Sequence, residues 1–257
     1  MITVLSPAKK LSKDCLVQNS NWTLPNYLDY SKKLVSLLKS FDPPALMGVM
    51  GISENLSVLN WERYQNWNLP FSGKNAREAL FTFQGDTYTG LDASSLDEKD
   101  ILFAQDHTRI LSGLYGILKP LDLIMPYRLE MGTKLNSDKG KNLYEFWGNT
   151  LSEDITRELN NHLHKVIVNC ASVEYFKSVD NDSLSAEIVT PVFKEIKNGK
   201  MRVISLFAKR ARGMMARYII QNKINNPNEI LNFNFGGYRY DKSLSNSSAP
   251  VFLRNQP

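Results

Sequence analysis

The chain has 257 residues, 42% hydrophobic and 22% charged, with 31 Lys and Arg against 26 Asp and Glu. That composition is ordinary for a folded globular chain and excludes a disordered or fibrous one, while a net charge of +5 favours anionic partners. No apolar stretch is long enough to span a bilayer, so a membrane partner is not expected.

"MITVLSPAKK" opens on an apolar run with no basic region before it, and reads as a first strand rather than a signal peptide. Ser6 and Pro7 open a turn, and Lys9 stands just past the strand, where ligand-facing residues often lie and solvated lysines lie too. Residues 23–41 have a helical apolar pattern, with Thr23 as N-cap and a stop before Pro43 and Pro44. Helical pattern continues over 45–67, interrupted at Gly48 and Gly51. "ALFTFQGDTYTGL" reads as a strand entering a glycine-marked loop. "SLDEKDILFAQDHTRILSGLYG" begins with a capping-box match, Ser95 and Glu98, and its stripe predicts a helix to about Ser112.

That helix runs into "SGLYGILKPLD", the tight glycine turn that a helix-hairpin-helix DNA-binding element over 97–125 requires. Gly113 and Gly116 would let backbone N–H groups face a phosphate, with Lys119 and Arg128 adding full charge. A structural turn with a glycine cap is the plain alternative, and Pro120 limits any second helix. A second reading of "LKPLD" is catalytic. Lys119 and Asp122 loosely echo a repair-enzyme arrangement in which a lysine attacks the sugar beside an aspartate, with Lys177 as another candidate amine. An aspartate capping a turn after Pro120 is the structural alternative.

Arg128 and Glu130 in "PYRLEMG" would share a face on an extended segment, either as an ion pair or as part of a site. Residues 141–164 are helical in two pieces broken near Gly148, and "KVIVNCAS" is a short buried strand. Ser172 and Glu174 fall one residue short of a capping box, and Lys177 follows as a candidate positive group. Two apolar runs flank Asn198-Gly199, a hairpin signal, and "GYRYD" and "PVFLR" are candidate edge strands.

The helix over 207–222, "FAKRARGMMARYIIQN", has Lys209, Arg210, Arg212 and Arg217 on one broad arc, and Met215 and Ile219 on the other. Gly213 and Ala216 lie within the basic arc, where small side chains would admit a large anion close to the backbone. The alternative is a solvated or ion-paired surface face. Helices and strands interleave without a regular βαβ rhythm, and no repeat or linker divides the chain. The class is α+β, one domain over 1–257 with a mixed sheet.

Cys15 and Cys170 share no motif spacing, which fits a reducing cytoplasm rather than a disulfide framework. His107, His162 and His164 form no ligand pattern, so no metal is expected, and no cofactor-binding motif appears.

The segments "LSPAK", "GDTYTGL", "LSGLYGILKPLDLIMPYRLEMG", "YEFWG", "NCASVEYFKSV", "PVFK" and "AKRARGMMARYI", in this order, resemble the YaaA family of peroxide-stress proteins. The likeness spans essentially the whole chain. Cys170 stands where a leucine is usual and Lys119 where an arginine is common. The resemblance implies a cytoplasmic protein that binds double-stranded DNA through a helix-hairpin-helix element and a basic cleft. It also implies a role in limiting peroxide damage driven by reactive iron. The expected DNA-binding set is Lys9, Gly113, Gly116, Lys119, Arg128, Lys177, Lys209, Arg210, Arg212 and Arg217, reading shape rather than sequence, with no obligate protein partner. The rival readings are a lyase or glycosylase-like enzyme using Lys119, Asp122 and Lys177, and an iron-handling protein, which the poor ligand set disfavours.

Overall fold

A computed structural model of the chain describes residues 1–12, 21–180 and 182–255. Cys15 lies outside them. The first strand, β1 (Ile2–Leu5), is buried at every position, as befits a strand covered on both faces. It is the middle of a five-stranded sheet with β2 (Thr108–Ser112), β3 (Gly116–Leu118), β4 (Val166–Cys170) and β5 (Glu187–Val189), in the order β3-β2-β1-β4-β5. β1 pairs in parallel with β2 (Thr3 beside Thr108) and with β4 (Thr3 beside Val168). β5 joins β4 in parallel, and β3 is the antiparallel edge. A second sheet takes β6 (Val192–Lys197), β7 (Lys200–Arg202), β8 (Arg239–Asp241) and β9 (Val251–Asn255) in the order β7-β6-β9-β8. The Asn198-Gly199 turn, with φ of 51° and 71°, joins β6 to β7 as its sequence predicts. "PVFLR" is not an edge: β9 runs between β6 and β8, and of the two candidates only β8 is outermost.

The α-helices of five or more residues are α1 (Leu28–Lys39), α2 (Pro43–Met50), α3 (Glu54–Asn66), α4 (Asp86–Leu91), α5 (Glu98–His107), α6 (Leu143–Trp147), α7 (Thr150–Leu159) and α8 (Ser205–Gln221). Helices α2 and α3 part at Gly51, and α6 and α7 at Gly148, both with positive φ. None of the described helices is long and apolar enough to cross a membrane.

Three local expectations fail for identifiable reasons. Thr23 does not cap α1, which starts at Leu28; its hydroxyl instead donates to Asp122 at 2.6 Å, anchoring the chain before the helix. The stretch 79–91 is a short helix (Ala79–Thr82), a two-residue ladder (Phe83–Gln84) and α4, not a strand and loop. Most important, there is no helix-hairpin-helix over 97–125. Asp97, not Ser95, caps α5, and the helix ends at His107. Thr108–Ser112 then enters the sheet fully buried, because pairing with β1 outweighs the helical periodicity. The glycine turn is the bend of a β-hairpin. Gly116 (φ 73°) is strand β3, and a Cβ there would meet Trp147 and Leu151 at 2.9 Å.

Helix α8 joins the halves of the molecule, packing on α4, α5, β4 and β6. Its Ala211, Met215 and Ile219 are buried, and Tyr218 meets Phe233 edge-on with ring centroids 5.6 Å apart. The approach to α4 is unusually close. A Cβ at Gly90 would collide with the Arg210 carbonyl, and one at Gly213 with the Thr87 carbonyl. Gly213 therefore admits a neighbouring helix, not an anion, contrary to its position on the basic arc.

Gly213→Ala should lower stability to urea by upwards of about 3 kcal/mol, since two backbones must separate to admit the methyl group. Gly48→Ala, in α2 with nothing within 4 Å of the added Cβ, should raise it by about 0.5–1 kcal/mol. A Gly213→Ala protein as stable as the parent would remove the close approach from the fold.

Candidate functional site

The C-terminal ends of β1 and β4 lie side by side, with β2 beyond one and β5 beyond the other. Open parallel sheets hold ligands at such a point, where the chain leaves neighbouring strands in opposite directions. A cavity of about 460 Å³ opens there, bounded by Ser6 past β1 and by Cys170 and Ser172 at the end of β4. The Ser6 hydroxyl accepts from the Ser172 amide at 2.8 Å and donates to the Ser172 hydroxyl at 3.3 Å. Tyr88 donates its hydroxyl to the Ser6 carbonyl at 3.0 Å, fixing the turn after β1 from α4. Ser172 also caps the short helix Val173–Phe176, accepting from the Tyr175 amide.

A second cavity of about 480 Å³ adjoins the first and shares Lys9, Lys10, Gln84 and Arg128 with it. Arg63 of α3 lines it. The two form one groove, whose described lining holds six cations (Lys9, Lys10, Arg63, Arg128, Lys209, Arg212) against three carboxylates (Asp86, Glu130, Glu174).

Glu130 serves two of the cations, pairing with Lys9 at 2.7 Å and with Arg128 at 2.9 Å. Arg128 and Glu130 thus share a face of an extended segment, as their spacing allows. Tyr64 of α3 donates its hydroxyl to the Arg128 carbonyl and ties that segment down. One Glu174 oxygen accepts from the Gly132 amide at 3.0 Å. Burial holds the Arg63 guanidinium below its usual value, and neighbouring Arg128 pushes the same way. Like charges so placed are relieved by an incoming anion. Lys10, Lys209 and Arg210 are exposed and Arg212 is half-buried, and none has a carboxylate at ion-pair distance among the described residues.

Of the residues singled out from sequence, Lys9, Arg128, Lys209 and Arg212 line the groove together. Arg210 is exposed beside Lys209 on α8. Lys177 lies next to the wall, its amine 4.9 Å over the ring of Tyr144, whose hydroxyl donates to the Glu174 carbonyl. The others lie elsewhere. Gly113 and Gly116 are buried, so their amides cannot meet a phosphate; a Cβ at Gly113 would strike the Leu129 carbonyl. Lys119 points toward Glu158 at 3.8 Å, a carboxylate already held by Arg109 at 2.6 Å. Asp122 is buried, accepting from Thr23 and from the Lys119 amide at 2.8 Å, and burial raises its carboxyl pKa. Neither lines the groove, and Lys177 is not brought to them. Arg217 donates to the carbonyls of Leu91 and Asp92 at 2.9 and 2.8 Å and pairs with the Asp92 carboxylate. It caps the C-terminal end of α4, where a cation suits the helix dipole, and is not a free charge.

Sequence reasoning missed Lys10, Arg63, Asp86 and the tyrosines Tyr88, Tyr127 and Tyr175, all lining the groove. Only Lys10 carried a signal, as the second lysine after β1. No three His, Cys, Asp or Glu side chains converge as a metal requires among the described residues. His107 bonds the Met1 carbonyl at 3.0 Å and stacks on Phe103, and burial pushes the adjacent His162 imidazole down to about 4.

Comparison with known proteins covers nearly the whole chain. A family model described as "Peroxide stress protein YaaA" matches residues 1–244. A UPF0246 protein of Hahella chejuensis is 49% identical over 255 residues, covering 99% of this chain and 100% of its own. A UPF0246 protein of Teredinibacter turnerae is 48% identical over 256 residues, with complete coverage of both chains. One of Magnetococcus marinus is 49% identical over 255 residues, covering 99% of each. The groove and the fold around it therefore belong to a member of the YaaA family of peroxide-stress proteins.

Proposed function

We propose that the chain binds double-stranded DNA through phosphate contacts along the groove, and that this cytoplasmic binding serves the family's peroxide-stress role by limiting iron-dependent damage. The observation that carries the reading is the row of uncommitted cations on α8. Lys209 and Arg210 are exposed and Arg212 is half-buried, none has a carboxylate at ion-pair distance among the described residues, and Lys209 and Arg212 line the groove with Lys9, Lys10, Arg128 and Arg63. A polyanion neutralises such a band, whereas a small anion meets only part of it. Contacts of this kind position a duplex without reading its bases, so the preference is for shape. The catalytic alternative receives no such support, because Asp122 is buried in a Thr23 contact and Lys119 is drawn to Glu158.

The same residues bear on how a peroxide response operates. Cys170 is buried at the cavity and burial pushes its thiol up to about 12, with Arg212 only partly offsetting this. Peroxide reacts with thiolate, so Cys170 is placed to be inert and the protein does not sense peroxide through it.

Lys209→Gln with Arg212→Gln should flatten the slope of log K against log salt for a duplex by up to about two units. The loss should be similar for unrelated sequences of one shape. Arg217→Gln should leave the slope intact and instead lower stability by about 1–3 kcal/mol, as its backbone contacts are lost. An unchanged slope in the double variant, with binding retained, would remove α8 from the DNA surface.

In a Cys15→Ser background, Cys170 should resist alkylation by iodoacetamide at pH 8 and give no sulfenic-acid adduct after peroxide treatment until urea unfolds the chain. Rapid labelling of the folded protein would overturn its assignment as inert.

A further inference from the structure

The 460 Å³ cavity has features that phosphate binding alone leaves unused. It falls within the range of about 300–1,000 Å³ that encloses small organic ligands. Tyr88, Tyr127 and Tyr175 form part of its wall, each less than 10% exposed. The hydroxyls of Tyr88 and Tyr127 are committed to the Ser6 carbonyl and to Ser112, so these residues offer the cavity apolar ring surface. Asp86 presents a carboxylate with no hydrogen-bond or ion-pair partner among the described residues. The Arg128 Nε–H is buried and has no acceptor. A phosphate alone would meet like charge at Asp86, and an apolar ligand would strand both groups. A nucleotide offers groups of each kind. Its phosphate suits Lys209 and Arg212, its ring acceptors suit Arg128, its exocyclic amine or ring N–H suits Asp86, and its planar base suits the tyrosine walls.

A second feature lies at the rim. Val173, between the lining residues Ser172 and Glu174, is 85% exposed, among the most exposed large apolar side chains described. Lys177 follows four positions on. Apolar side chains next to a basic surface serve as wedges that enter a base stack and hold the gap left by an extruded nucleotide.

We infer that the cavity receives a single nucleotide turned out of a bound duplex, with Val173 taking its place in the stack. This rests on the duplex-binding reading and goes beyond it, since phosphate contacts along the groove need no base to leave the helix.

The test uses the full chain and duplexes with one 2-aminopurine, either matched or opposite a mismatch. Binding should raise 2-aminopurine fluorescence severalfold, and the mismatched duplex should bind about tenfold more tightly, because its base costs less to extrude. Val173→Ala, with an unchanged urea midpoint, should abolish the fluorescence rise and the mismatch preference together. If both duplexes bind equally and the fluorescence stays at the stacked level, the inference fails while duplex binding stands. Free deoxyadenosine monophosphate that binds with the fluorescence still unmoved would assign the cavity to loose nucleotides and likewise overturn it. Absence of duplex binding at low salt would remove the DNA reading and this inference with it.

Discussion

The contact on which the site depends is the backbone approach of α4 to α8 at Gly90 and Gly213. Each glycine leaves room for a carbonyl of the opposite helix, so the helices lie closer than any side chain would allow. That closeness brings Arg217 within reach of the last carbonyls of α4, and it holds the N-terminal half of α8 beside Asp86, Thr87 and Tyr88. One wall of the cavity is therefore set by two missing methyl groups. Tyr88 transmits the constraint to the turn after β1 through Ser6, and Ser6 passes it to β4 through Ser172.

The close approach also sorts the cations of α8. A helical wheel treats Lys209, Arg210, Arg212 and Arg217 as equivalent, but the neighbouring helix does not. Arg217 meets the negative end of α4 and is consumed there, whereas the side chains of the other three have no carboxylate at ion-pair distance among the described residues. Charge-assisted bonds to backbone carbonyls contribute more than solvated surface pairs, so the two groups have different physical roles. Arg128 is intermediate, bound to Glu130 on one side and left with an unsatisfied Nε–H on the other.

The parts of the fold legible from sequence were those settled locally. The apolar runs of β1 and β4, the Asn198-Gly199 hairpin, the break at Gly148 and the apolar face of α8 all follow from a few adjacent residues. The glycine turn at 113–116 was legible as a turn but not as its kind. "TRILS" extends the helical stripe of α5, yet it is β-branched at Thr108 and Ile110 and finds β1, more than one hundred residues away, as its partner. Long-range pairing of this sort leaves no mark on periodicity. The site divides in the same way. Lys9, Arg128, Lys209 and Arg212 were visible as charges, but the assembly that joins them, and the entry of Arg63 and Asp86, came from the topology.

The arrangement of charge in depth bears on what the groove can accept. Lys10, Lys209 and Arg210 are exposed, while Glu130 and Glu174 are half-buried, with Glu130 already serving Lys9 and Arg128. A phosphate brought up to those carboxylates would meet like charge, so on the duplex-binding proposal the backbone lies at those exposed cations, which have no carboxylate at ion-pair distance among the described residues. Asp86 and the tyrosine rings of the cavity suit groups that donate hydrogen bonds or present flat apolar surface, and a uniformly basic groove would not make that distinction. On that proposal the three carboxylates lower the net charge of the groove and raise its selectivity, giving separate places to phosphate and base.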